Sequence, residues 1–119
     1  MKAIVSTKQG PPEVLQLRDM EKPLPNANEV LVKVYASTVT IGDVILRKIH
    51  PLLFLLMGLF GIKRKRTPGH EFAGEVEAVG KDVKRFKIGD QVFGTTTGLS
   101  VGANAEYICV PEAWKIGVL

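Results

Sequence analysis

The stretch Pro68-Gly69-His70-Glu71-Phe72-Ala73-Gly74-Glu75-Val76-Glu77-Ala78-Val79-Gly80 leaves this chain the fewest choices. A polar Gly-His-Glu turn leads into a run with a period of two. Phe72, Gly74, Val76 and Ala78 fall on one side, and Ala73, Glu75, Glu77 and Val79 on the other. The spacing predicts a strand with one face on a core and an acid-bearing face towards water. Gly69 and Gly80 bracket the segment where the backbone must turn. Gly74 predicts close approach of a neighbouring chain segment. Gly89-Asp90 is turn chemistry ahead of a further strand, Gln91 to Thr95.

Other segments alternate in the same way. Lys2 to Thr7, Val14 to Asp19 and Glu29 to Ser37 read as strands, and Ala105 to Val110 as the last one. In Glu29 to Ser37, Val30, Val32, Val34 and Ala36 share an apolar face. Three strands in the first forty residues, joined by short turns, predict a mainly antiparallel sheet. Beyond Thr40 the pattern changes. Val44 to His50 suits a short helix with Asp43 as its N-cap. Leu52 to Ile62 is apolar on every side and is expected to be covered, as a lid or packed on the sheet. Thr96 to Asn104 reads as a loop, and Pro111 to Leu119 carries no clear pattern.

A length of 119 residues suits one domain, 1–119. The net charge is +4, and Lys63, Arg64, Lys65 and Arg66 supply the whole excess of 16 basic over 12 acidic residues. A single basic patch argues against a nucleic-acid surface. Cys109 is the only cysteine, so no internal disulfide forms, which fits a reducing, cytoplasmic setting. Met1 to Lys8 is too short and too charged to read as a signal peptide. The apolar run falls short of the ~20 residues a spanning helix needs. Gly98-Leu99-Ser100-Val101-Gly102 spells a nucleophile elbow, but no histidine and no helix pattern follow Ser100, so it reads as loop chemistry.

Gly69-His70-Glu71, Gly74, Val79-Gly80, Val83, Phe86 and Gly89-Asp90-x-Val92 occur in a telling order, with Val30 to Val34 and Asp43 upstream. Together they resemble the N-terminal, GroES-like (alcohol dehydrogenase-like) catalytic domain of the medium-chain dehydrogenase/reductase family, from Lys2 to about Pro111. The resemblance implies a partly open, mostly antiparallel β-barrel with short helices. It also implies a Rossmann nucleotide-binding domain, and no Gly-x-Gly-x-x-Gly follows any strand in these residues. In zinc-containing relatives a cysteine ligand lies three residues before the aspartate matching Asp43. Here that position is Thr40, and Gly42 replaces the usual hydroxyl-bearing residue. The structural zinc lobe needs four cysteines, and this chain has one.

The resemblance therefore implies the zinc-free, quinone oxidoreductase-like branch. It implies NADPH held mainly by the absent domain, no zinc, and a small-molecule quinone, enone or other carbonyl substrate. Thr40, Asp43 and His70 are the expected cleft wall, with Thr40 on the nicotinamide side. His70 also suits a turn ordered by hydrogen bonds, Asp43 a plain helix cap, and Glu71 a carboxylate tying down backbone or helix donors. The chain alone is expected to be inactive, because the cofactor carries the hydride. Two other readings stand beside this one. A non-enzymatic binding module could form homo-oligomers through 51–62, and a zinc-dependent alcohol dehydrogenase fragment would use His70 as a ligand. An interfacial membrane anchor at 52–66 is the less favoured reading of that segment.

Overall fold

The computed structural model describes residues 1–60 and 66–119, the side chain of Phe54 excepted. The end of the apolar run, Gly61 and Ile62, and the basic residues Lys63, Arg64 and Lys65 lie outside the described residues. Among the described residues, seven strands and two short α-helices follow one another. Strands β1 (Lys2–Ser6) and β2 (Leu15–Asp19) form a two-stranded antiparallel sheet, with Lys2 opposite Asp19 and Ser6 opposite Leu15. Strands β3 (Glu29–Ser37), β4 (Glu71–Val79), β5 (Gln91–Thr95), β6 (Tyr107–Pro111) and β7 (Ile116–Val118) form a second sheet in the order β6-β3-β4-β5-β7. Every pairing is antiparallel, and an isolated bridge from Ala3 to Ala105 ties β1 to the segment leading into β6. The sheets do not close, so the mainly β, partly open architecture expected from the sequence is the one observed. Helices α1 (Ile41–Lys48) and α2 (Pro51–Gly58) lie between β3 and β4 in sequence.

The alternation of apolar residues decides which face each strand buries. Val30 and Val32 of β3, Phe72 and Val76 of β4, Val92 of β5, Ile108 and Val110 of β6 and Ile116 of β7 pack with Phe86 and Ala103 into one core. Glu75 and Glu77 fall on the other face of β4, where Glu75 accepts from the Tyr35 hydroxyl at 2.6 Å. Gly74 stands opposite Val34, and a Cβ there would fall 2.0 Å from the Lys33 carbonyl oxygen. The close approach expected at Gly74 is therefore real, and it occurs where β3 shifts register against β4.

Several boundaries differ from expectation. Val14 belongs to a 3₁₀ turn, Pro12–Val14, because Pro11 and Pro12 cannot donate to a ladder. The last long strand is Tyr107–Pro111 rather than 105–110, and β7 was not anticipated at all. Three residues are too few for a period of two to show. Helix α1 starts earlier than expected, and its N-cap is Thr40, not Asp43. Asp43 is the third helical residue and closes a capping box: it donates its N–H to Thr40 Oγ1 while its carboxylate accepts the Thr40 N–H. The apolar run was expected to be covered. Instead α2 leaves Leu52, Leu53, Leu55 and Leu56 about half or more exposed.

Candidate functional site

The turn Pro68–His70 is held by the 95–104 segment. The Pro68 carbonyl accepts from the Asn104 N–H (3.0 Å), and the Gly69 carbonyl from the Thr96 hydroxyl (2.7 Å). The His70 carbonyl accepts from the Thr96 N–H and the Thr95 hydroxyl, both at 2.7 Å. Gly69 adopts φ +108°, and a Cβ there would fall 2.8 Å from the Asn104 nitrogen. Only glycine supplies both the left-handed backbone and the space.

Asp43 joins this turn to α1. Its Oδ2 accepts from the Thr40 N–H (2.9 Å) and the Thr40 hydroxyl (3.3 Å). Its Oδ1 accepts from the Gly69 N–H (3.1 Å) and lies 3.1 Å from His70 Nε2. Two donors on Oδ2 and one on Oδ1 hold the carboxylate, with His70 Nε2 beside it. The Asp43 side chain is only 10% exposed. It is a clamp between two elements. His70 Nε2 faces Asp43 Oδ1, and His70 Nδ1 is buried with no protein partner.

Beside this clamp lies a cavity of about 230 Å³. Ile4 and Leu15 of the first hairpin, Val39, Val44 and Leu46 around α1, and Pro68 make its body apolar, while Asp43, His70, Asn104 and Arg47 supply polar edges. The hairpin loop is strapped to the far end of α1. Gln9 Nε2 donates to the Leu46 carbonyl, the Gly10 N–H to the Arg47 carbonyl (2.8 Å), and Arg47 Nε to the Gly10 carbonyl (3.1 Å). The first two of these bonds satisfy carbonyls that a helix end leaves without partners.

The three residues expected to share a cleft wall are thus brought together by hydrogen bonds, but not in equal positions. Asp43 and His70 line the cavity, whereas Thr40 stands behind Asp43 and is not part of the lining. Glu71, the first residue of β4, faces away from this cavity and is not part of its lining. Its carboxylate accepts from the Thr38 hydroxyl (2.9 Å), a side-chain donor rather than the backbone or helix donor expected. It borders a second depression of about 510 Å³ with Phe93, Thr95 and Lys115. Gln9, Arg47 and Asn104 were not anticipated. A helix C-terminus signals that donors are needed there, but nothing local says that a residue some forty positions away supplies them. Among the described residues, no group of three or more His, Cys, Asp or Glu side chains is placed to hold a metal ion.

An unclosed antiparallel sheet with short helices, carrying a Gly-His-Glu turn clamped to the aspartate of α1, defines a class. Residues 26–118 match the alcohol dehydrogenase GroES-like domain, and the chain belongs to that family, within the medium-chain dehydrogenase/reductases. It is similar to the quinone oxidoreductase of Sus scrofa, 44% identical over 109 residues, which cover 90% of this chain and 30% of that protein. The quinone oxidoreductase of Lama guanicoe is 40% identical over 110 residues, with the same coverage of each. The solved structure of the quinone oxidoreductase from Coxiella burnetii superposes with a TM-score of 0.82 at 33% identity, over 99% of this chain and 36% of that one. The chain therefore spans about a third of the length of these relatives. The GroES-like fold and the quinone oxidoreductase-like branch expected from the motifs both hold.

Proposed function

We propose that this chain is the substrate-side domain of a zinc-independent, NADPH-dependent reductase of quinones, enones or related carbonyl compounds. The observation that carries the reading is the state of the Thr40, Asp43 and His70 cluster. Zinc needs imidazole, thiolate or carboxylate donors in a tetrahedral array. Here the carboxylate accepts three protein hydrogen bonds, the imidazole Nε2 lies against it, and a threonine stands where the resemblance puts a cysteine. That donor set does not fit a zinc ion. It supports a rigid wall that shapes a cleft, with Thr40 on the nicotinamide side and Asp43 and His70 as positioning residues. The apolar cavity beside it has room for a small ring and few groups that would compete for it.

The nicotinamide cofactor supplies the hydride when it is bound. None of these residues forms the Gly-rich turn that would hold its phosphates, so the reading assigns cofactor binding to a Rossmann domain outside the chain. The part left to this chain is to orient the carbonyl and to exclude water. We place this chemistry in the cytosol, where a lone buried Cys109 is at home. The test is NADPH oxidation with 1,2-naphthoquinone. The chain alone is expected to show none, and the chain joined to the remainder of a quinone oxidoreductase is expected to turn over with or without a chelator. Turnover by the chain alone, or stoichiometric zinc by elemental analysis after dialysis, would overturn the reading.

A further inference from the structure

Helix α2 stands uncovered among the described residues. Leu52, Leu53, Leu55 and Leu56, with Leu59 and Phe60 beyond its end, are between 49% and 86% exposed. A helix that is apolar all round is normally enclosed, and folded chains seldom leave so many large side chains together in water. The charge distribution says what kind of surface covers it. Between Asp43 and Glu71 the sequence contains no acid and six basic residues, Arg47, Lys48, Lys63, Arg64, Lys65 and Arg66. Everywhere else ten basic residues face twelve acidic ones. The chain is positive only around its most apolar segment and slightly negative over the rest. A neutral protein groove would require no such arrangement, and a second copy would set basic segment against basic segment. An anionic bilayer offers what both features call for, a hydrocarbon layer beneath negative headgroups.

Length limits the mode of contact. Eight helical residues rise about 12 Å, well under the ~30 Å of a bilayer's hydrocarbon core. We propose that α2 seats the protein on one leaflet of an anionic lipid surface, its leucines and Phe60 in the acyl boundary and the exposed Lys48 and Arg66 among the headgroups. This inference does not depend on the proposed reductase activity and can stand or fall without it.

The test is flotation of the protein with vesicles of phosphatidylcholine alone and of phosphatidylcholine mixed with phosphatidylglycerol. Binding is expected on the mixed vesicles and at least ~10-fold less on the neutral ones. Raising the salt from ~0.1 to ~1 M shortens the screening length from about 10 to about 3 Å and should release most of the bound protein. The Leu55→Glu variant is expected to stay in the unbound fraction while keeping its Trp114 fluorescence and urea midpoint. Lys48→Glu with Arg66→Glu should weaken binding about 10-fold or more. If Leu55→Glu does not fold, the comparison of lipids and salts still decides. Failure to float with either vesicle overturns the proposal. So does equal binding to both. Absence of flotation together with a dimer in light scattering that Leu55→Glu dissolves would assign the face to a second copy. A Leu55→Cys thiol that resists maleimide in the folded protein would assign it to another part of the polypeptide.

Discussion

Replacing Asp43 by asparagine tests whether the carboxylate is a clamp. The amide oxygen can keep the Thr40 N–H and hydroxyl, and the NH₂ group then faces the Gly69 N–H and His70 Nε2, donor against donor. Hydrogen bonds to a charged group contribute about 1.5–3 kcal/mol each. Losing the Gly69 bond at the lower end of that range, together with the charge behind the two that remain, costs about 3 kcal/mol. Whole domains are stable by only about 5–15 kcal/mol, so the loss should be plain. In urea, at about 2 kcal/mol per molar, the midpoint should fall by roughly 1.5 M. The single tryptophan, Trp114, packs against the core and reports unfolding. Thr40→Ala is the control. It removes the hydroxyl that caps the helix and reaches Asp43 Oδ2 but leaves the Gly69 and His70 side intact, and should cost about 1 kcal/mol. If Asp43→Asn costs no more than Thr40→Ala, the link from Asp43 to Gly69 and His70 contributes nothing, and the clamp argument is refuted.

Two glycines should respond in opposite directions. Gly74→Ala sets a Cβ 2.0 Å from the Lys33 carbonyl and is expected to destabilise by about 3 kcal/mol or to prevent folding, whereas Gly58→Ala meets nothing within 4 Å and should stabilise by about 0.5 kcal/mol. Both are read as urea midpoints. The backbone N–H groups of Arg85 and Lys84 donate to the Glu112 carboxylate and hold it below its ordinary value of 4.5. Its contribution to stability is therefore complete above about pH 4.5 and is lost as the pH falls through the folded value. Glu112→Gln should flatten the acid limb of a midpoint-against-pH curve, and an unchanged limb would contradict the assignment. Burial, with Glu29 nearby, pushes the Cys109 thiol up to about 11. A thiol reagent at pH 8 should label it only after unfolding, and rapid labelling of the folded chain would show the site to be open.

What could be read in advance was what repeats at short range. β3 and β5 fall where alternation put them, because each is long enough to show a period of two and each sets valines on a core. β7 is too short for that signal. The cluster was legible in membership and not in geometry. Thr40-x-x-Asp43 is a capping-box spacing in the sequence itself, yet Asp43 alone reads as a plausible cap, and only the backbone shows that the threonine precedes the first turn. The groups gathered around Asp43 come from two segments, and no local rule joins residue 43 to residues 69 and 70. For α2, composition said that the helix is apolar, while the expectation of a cover rested on the habit of globular interiors.

Helix α1 is anchored at both ends, by the Asp43 bonds at its start and by Gln9, Gly10 and Arg47 at its finish. One inserted residue would swing the later anchor about 100° around the axis and push it about 1.5 Å further on. No single insertion or deletion can then satisfy both moorings. Surface turns elsewhere in the chain are free to grow or shrink, but this helix has a gauge length, set in whole turns by the distance between the hairpin and the histidine.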